Sequence, residues 1–110
     1  KDNKITYPFL GVRYVLVDQE VKEKYNLTVD YGALVSRGEN GEPAITKDSA
    51  AEKVGIQEKD VILELGGEKI TKENSMTQVI AKYNPGDSVT LKILRDGQEI
   101  DVTVVLAERN

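Results

Sequence analysis

The fold is decided by a short stretch near the start of the chain, Tyr7-Pro8-Phe9-Leu10-Gly11-Val12-Arg13-Tyr14. It places a glycine between two apolar residues, immediately before a segment typical of a strand. Because Gly11 has no Cβ, a second backbone can approach it closely, and the N–H groups of Leu10, Gly11 and Val12 can converge on one anion. The free carboxylate of a peptide is such an anion. A glycine beside a strand also marks a bulge or tight bend, so the rest of the chain must decide between these interpretations.

The composition predicts one domain, residues 1–110, with one core. The 110 residues are 39% hydrophobic and 31% charged, which is ordinary for a soluble domain. No apolar run reaches the roughly 18 to 20 residues that span a bilayer, so we expect no membrane contact by this domain. The net charge is -4 and the basic residues are scattered, so nucleic acid is not an expected partner. Residues 1–6 are interpreted as a linker from a longer chain.

The sequence contains no histidine and no cysteine, which excludes most hydrolytic mechanisms within this chain. A Ser-His-Asp or Cys-His triad cannot form, and the usual zinc ligands and disulfides are missing. A Ser-Lys pair remains, with Ser49 near Lys47 or Ser75 near Lys72. A lysine that acts as a base must be desolvated, however, and these lysines lie among polar residues. We therefore expect no catalytic residue, metal or cofactor.

Periodicity and turn signals divide the chain into short elements. Strands are predicted at 9–17, 32–36, 60–65, 88–94 and 99–106. Helices are predicted at 18–25 with Asp18 as N-cap, from Ser49 to a left-handed Gly55, and at 73–83. Gly66-Gly67 predicts a two-residue turn followed by a short returning arm, and Asp96-Gly97 predicts a type I′ hairpin.

Two pairs of polar side chains are interpreted as structural and not as catalytic. Ser49 and Glu52 have the Ser-x-x-Glu spacing of a capping box, in which the glutamate reaches back to the N-cap amide. Asp60 and Glu64 suggest acid-base or metal chemistry, but their even spacing places both on one face of a strand without a third ligand. We interpret them as a cap and a solvated charge.

The helix predicted at 73–83 has two faces. The stripe expected to face the core comprises Met76, Val79 and Tyr83. A second face, which could line a groove, carries Glu73, Thr77 and Ile80.

A series of short motifs runs along nearly the whole chain. After Phe9-Leu10-Gly11-Val12 come Asp48-Ser49-Ala50-Ala51-Glu52-Lys53-Val54-Gly55-Ile56, Asp60-Val61-Ile62-Leu63, Gly66-Gly67-Glu68-Lys69-Ile70, helix 73–83, Pro85-Gly86-Asp87-Ser88-Val89 and Leu94-Arg95-Asp96-Gly97. This series resembles a bacterial PDZ domain. Its order, with the carboxylate-loop strand first and the Asp-Gly hairpin last, is similar to the circularly permuted PDZ domain of HtrA/Deg-type envelope serine proteases. Site-two metalloproteases and C-terminal processing proteases carry similar modules.

The resemblance implies an α+β fold, a PDZ-like partial β-barrel of five to six mostly antiparallel strands capped by two to three helices. It also implies that a peptide adds as a strand between the carboxylate-loop strand and the long helix, with its last side chain in a pocket. The implied carboxylate site is the backbone of Leu10, Gly11 and Val12. The implied pocket and groove comprise Phe9, Leu10, Val12, Tyr14, Glu73, Thr77 and Ile80. Pro8 departs from the pattern because it has no N–H to donate, and the nearest basic residue ahead of the loop is Lys4.

The function implied by the resemblance is peptide binding without catalysis. We expect the domain to bind C-terminal or unfolded apolar segments of proteins, and to direct or regulate an attached bacterial serine protease in protein quality control. The protease domain of the same parent chain is the second expected partner, and the expected location is extracytoplasmic, in the periplasm or at the outer face of the cell membrane. The alternative is a structural or assembly module that gates a serine, site-two or C-terminal processing protease through contacts within an oligomer.

Overall fold

A computed structural model describes residues 7–109 of the chain. The predicted linker 1–6, with Lys4, lies outside the described residues. The strands are β1 (Tyr7–Phe9), β2 (Tyr14–Leu16), β3 (Ala33–Val35), β4 (Val61–Leu65), β5 (Glu68–Lys69), β6 (Ser88–Arg95), β7 (Gln98–Val105) and β8 (Ala107–Arg109). The helices are α1 (Gln19–Lys24), α2 (Ala50–Lys53) and α3 (Met76–Ile80).

The strands form two sheets. The larger sheet has the order β2-β3-β4-β6-β7 with β5 beside β4, and the smaller sheet pairs β1 with β8. Within residues 7–109 every strand pair is antiparallel. Because β2 and β7 lie at opposite edges, this part of the chain forms no closed barrel. The predicted α+β fold with short helices on a mostly antiparallel, partial barrel is confirmed, and β1 and β8 are additional to the predicted strands.

The core lies on both faces of the central strands. Ala33, Val35 and Ile62 belong to the main buried cluster, against which α2 and α3 pack. Leu34 and Val61 belong to a second cluster on the opposite face, covered by Val21 of α1 and the segment that follows it. A strand buried on both faces has a continuous apolar sequence, which explains the runs 33–35 and 61–63.

Both predicted two-residue turns are present. Gly66 and Gly67 have φ of 61° and 83°, and Asp96 and Gly97 have φ of 52° and 80°. Positive φ at both central residues is the type I′ geometry, whose twist matches that of the flanking strands. The turn after Arg95 therefore sets the long β6–β7 register, in which Arg95 pairs with Gln98.

The strand predicted at 9–17 is wrong in its extent, because the chain leaves the extended conformation between Phe9 and Tyr14. Gly11 adopts a φ of 95°, which breaks regular strand geometry. The two pieces consequently join different sheets, β1 with β8 and β2 with β3. The apolar composition alone did not distinguish one strand from two.

The helix predicted at 73–83 is also shorter, because α3 is only Met76–Ile80. Its start is set by a capping box in which Ser75 Oγ accepts from the Gln78 N–H and the Gln78 side chain accepts from the Ser75 N–H. Upstream, Thr71 and Asn74 close a turn through reciprocal backbone hydrogen bonds. Glu73 therefore lies in this turn and not on the helix.

Asp60 corrects the interpretation of the paired carboxylates. Its side chain accepts from the Gln57 N–H, which closes the turn before β4 and does not cap a helix, and the residue is only 2% exposed. Arg95 binds the carboxylate through both oxygens, at 2.9 Å from Nε and 2.7 Å from its terminal nitrogen, and also donates to the Gly55 carbonyl. The hydrogen bonds with Asp60 raise the pKa of Arg95 above its usual value. Asp60 is therefore not a solvated charge: its ion pair with Arg95, whose side chain is 28% exposed, joins the end of β6 to the residue before β4 and to the turn after α2.

Candidate functional site

The loop between β1 and β2 is held to the body of the domain by the carbonyl groups of Leu10 and Gly11 and by the N–H of Arg13. The Ala51 N–H, in the first turn of α2, donates to the Leu10 carbonyl at 2.9 Å. The Thr46 N–H donates to the Gly11 carbonyl at 2.9 Å, and the Arg13 N–H donates to the Ala44 carbonyl. A helix start has N–H groups without partners inside the helix, and α2 uses one of them to anchor the loop.

Three successive amide groups of the same loop, ahead of Arg13, are not used in this way. Within residues 7–109, the N–H groups of Leu10, Gly11 and Val12 donate no hydrogen bond. All three residues line one cavity. Successive backbone N–H groups around a residue of positive φ form a concave site for an anion. The loop therefore presents three donors where the sequence predicted an anion nest.

Gly11 is required in this loop for two physical reasons. Its φ of 95° is strained for any residue with a side chain, and a Cβ placed on it would lie 2.2 Å from the Ser49 Cβ. Ser49 cannot easily move, because it is 3% exposed and its Oγ accepts from the Glu52 N–H at 3.2 Å. The Glu52 carboxylate bonds to the N–H of Asp48, one residue before the amide that the capping box predicted.

The cavity lies between this loop, β2 and α3, and its volume is about 400 Å³. It is lined by Pro8, Phe9, Leu10, Gly11, Val12, Tyr14, Met76, Thr77, Ile80 and Ala81. All predicted pocket residues except Glu73 are thus brought together. The structure adds Pro8, Met76 and Ala81; Met76 was predicted to face only the core, but it is buried and also lines the cavity.

The electrostatics of the cavity come from dipoles. Every residue that lines it is uncharged. Arg13 faces a neighbouring cavity with Thr46 and Glu108. An anion at the loop is therefore offered backbone N–H groups and not an arginine or lysine of the described segment.

The hydroxyl groups that suggested Ser-Lys chemistry are engaged in helix caps. Ser49 Oγ caps α2 and Ser75 Oγ caps α3, each by accepting from the backbone. In the described part of the chain, acidic side chains form no group of three or more that suits a metal ion. Over the same residues, every helix is too short or too polar to cross a bilayer.

Comparison with known proteins gives one consistent family. The family described as PDZ domain matches residues 8–106. The chain is 34% identical over 107 residues to a probable periplasmic serine endoprotease DegP-like of Chlamydia trachomatis serovar D, which covers 97% of this chain and 20% of that protein. The chain spans about a fifth of the length of the curated relatives it matches.

Solved structures agree. The structure of the HtrA-type protease AlgW with decapeptide has a TM-score of 0.77 and 26% identity, covering 96% of this chain and 30% of that chain. The HtrA3 PDZ domain bound to a phage-derived ligand has a TM-score of 0.75 at 15% identity, covering 96% of this chain and 89% of that chain, a likeness of fold alone. A loop with three available amides, an edge strand and a short helix surround one apolar cavity. Because the family match spans nearly all described residues, this chain belongs to the PDZ domain family.

Proposed function

We propose that the cavity binds the C-terminal residues, or exposed apolar segments, of other polypeptides. The observation that carries the proposal is the set of three N–H groups at Leu10, Gly11 and Val12, which have no partner among residues 7–109 and adjoin an uncharged, largely apolar cavity. A terminal carboxylate can accept from these donors, and hydrogen bonds to a charged group contribute more than neutral ones.

The edge strand supports the mode of binding. Among the described residues, β2 pairs with β3 and with no other strand, so its second edge is open to an added strand. A peptide that extends this edge gains main-chain hydrogen bonds, and its alternate side chains enter the cavity. The last side chain then lies against Leu10, Val12 and Ile80, all of which line the cavity.

The proposed biological role is to direct or regulate an attached serine protease in protein quality control, outside the cytoplasm of a bacterium. The support comes from the relatives, which are named periplasmic serine endoproteases and are about five times as long as this chain. The domain itself contributes recognition, and the protease domain of the same parent chain contributes the chemistry.

Calorimetric titration with a hexapeptide that ends in valine tests the proposed site. The free acid is expected to bind with a Kd of about 1 µM, or about -8 kcal/mol, because ordering a flexible peptide offsets much of the contact energy. Amidation of its C-terminus is expected to weaken binding about tenfold or more, since it removes the charged acceptor. Equal binding of acid and amide would show that the loop does not hold the carboxylate.

The proposed role in regulation needs the full-length parent protein. Addition of the free-acid hexapeptide is expected to change the rate at which that protein cleaves unfolded casein, whereas the amidated peptide at the same concentration has little effect. If the peptide binds the isolated chain but leaves the cleavage rate unchanged, recognition stands and the regulatory role fails.

A further inference from the structure

A hydrogen bond joins the two walls of the cavity beyond the carboxylate loop. The Tyr14 hydroxyl, at the first residue of β2, lies 2.9 Å from Thr77 Oγ1, on the first turn of α3. Both residues line the cavity, and the bond is exposed to solvent. The bond therefore spans the space between the edge strand and the helix.

The proposed mode of peptide binding places this bond opposite a particular ligand residue. If the ligand carboxylate accepts from the Val12 N–H, the last ligand residue pairs with Val12. The ligand then runs antiparallel to β2, so its third residue from the end pairs with Tyr14. Side chains alternate along a strand, so the last ligand residue and the third from the end share a face. Val12 and Tyr14 both line the cavity, so this shared face points toward α3.

We propose that the Tyr14–Thr77 hydrogen bond is an autoinhibitory contact that closes the groove beyond the last two residues of a ligand. This inference rests on the proposed peptide-binding function and deepens it. A ligand with a third residue must break the bond and turn the tyrosine ring aside, whereas a shorter ligand leaves the bond intact.

The surroundings of the bond determine which wall yields. α3 is fixed by Met76 and Val79, which are 2% and 0% exposed, and by the capping box at its start. Tyr14 is only partly buried and lies on the edge strand, so rotation of its side chain is the available movement. A neutral, exposed hydrogen bond contributes little, so the contact is weak enough for a peptide to displace.

Tyr14→Phe and Thr77→Val test this inference, because each removes one hydroxyl and keeps the shape of the side chain. Both variants are expected to bind the free-acid hexapeptide about two- to tenfold more tightly than the original chain, the range expected for one neutral hydrogen bond. N-acetylvaline, followed by NMR titration, ends before Tyr14, so neither substitution is expected to tighten its binding. Thr90→Val is the matched control, since it removes a hydroxyl pair with Thr103 that lies away from this cavity.

The double variant separates a contact between the two side chains from two separate contacts with the ligand. If the hydroxyls act through each other, Tyr14→Phe/Thr77→Val binds the hexapeptide no more tightly than either single variant. Weaker or unchanged binding of the hexapeptide by the single variants, or additive effects in the double variant, would overturn the autoinhibitory role while leaving the carboxylate site intact. If no protein binds either the hexapeptide or N-acetylvaline, the proposed function is overturned and the inference with it.

Discussion

At the scale of single residues, the site depends on contacts that hold a loop open. Gly11 lies against the buried Ser49, whose hydroxyl caps α2, and the N–H of Ala51 in the same helix holds the Leu10 carbonyl. The helix thus fixes the carbonyl side of the loop, and the amide side remains available. In this way a four-residue helix that does not line the cavity supports the proposed binding loop.

Gly11→Ala is expected to destabilise the domain more than Gly41→Ala. Both glycines have positive φ, 95° and 84°, so both substitutions incur a backbone cost of about 1–2 kcal/mol. Only Gly11 has a neighbour within contact distance of the new methyl group, which adds about 1–3 kcal/mol of overpacking. Urea unfolding of the two variants measures the difference. Equal losses would mean that the loop relaxes away from Ser49 without cost.

The ion pair of Asp60 and Arg95 is expected to matter more than an exposed pair. Arg95→Leu leaves a carboxylate that is 2% exposed without its main partner, at an expected cost of about 3 kcal/mol. Arg37→Leu removes an ion pair with Glu58 whose side chains are 67% and 38% exposed, at an expected cost below about 1 kcal/mol. Chemical denaturation of both variants checks the contrast. It would be contradicted by a loss for Arg37→Leu that matches the loss for Arg95→Leu.

At the scale of elements, α3 has one face in the core and another at the cavity. Val79 is fully buried and Met76 nearly so, whereas Ile80 is half-buried and lines the cavity. Successive residues of a helix are rotated by about 100°, so the neighbouring positions Val79 and Ile80 face different surroundings.

Ile80→Glu is therefore expected to abolish peptide binding with little loss of stability, whereas Val79→Glu and Met76→Glu unfold the domain. A carboxylate buried without a partner costs several kcal/mol, which is comparable with a total stability of about 5–15 kcal/mol. At Ile80 the new charge stays hydrated and repels an incoming carboxylate. Thermal melts and fluorescence polarisation distinguish the variants, and an Ile80→Glu protein that melts like the other two would show that the helix has a single, structural face.

The sequence predicted the elements whose signals are local. The two-residue turns, the Asp18 cap and the buried strand predicted at 60–65 follow from glycine placement, a capping side chain and an apolar run, and all are present, the strand as Val61–Leu65. The pairing of β1 with β8 was missed because three-residue strands carry almost no periodicity. Asp60 was misjudged for a related reason, since its partner Arg95 lies 35 residues away and only the tertiary fold brings them together.

In the candidate site, too, features with a local sequence signal were predicted and features set by the tertiary fold were not. The glycine between Leu10 and Val12 is a local signal that indicates the loop, and helical periodicity places Thr77 and Ile80 beside it. Glu73 was assigned to the groove because the helix was extended one turn too far toward its start. The sequence could not reveal that Met76 lines the cavity, because a buried helix residue and a cavity-lining one have the same pattern.

At the scale of the whole molecule, the proposed binding loop lies at the junction of the two sheets. It leaves the smaller sheet at Phe9 and enters the larger sheet at Tyr14. The larger sheet and the helices supply most of the core, and β8 contributes the partly buried Ala107 to it. The loop is consequently supported on one side by a stable body and on the other by a two-stranded sheet of three residue pairs.

Removal of residues 107–110 is expected to weaken peptide binding more than it weakens the fold. The truncation takes away the strand partner of β1 and so frees the entry to the loop, but it leaves the buried Leu106 in place. We expect urea unfolding to remain cooperative with a small shift in its midpoint, while hexapeptide affinity falls about tenfold as the loop loses its preorganisation. Unchanged affinity would show that α2 and the 44–46 segment alone hold the loop.

The pairing of β1 with β8 also sets how the domain responds to mechanical tension. Tyr7 lies opposite Arg109, so the two chain segments leave the small sheet side by side at the same end. A force that pulls these segments apart is carried by one hydrogen-bonded pair at a time, as in a zipper, and not by all pairs together as in a sheared strand. The first part to yield is therefore the strand that leads into the proposed carboxylate loop, while the six-stranded sheet stays folded.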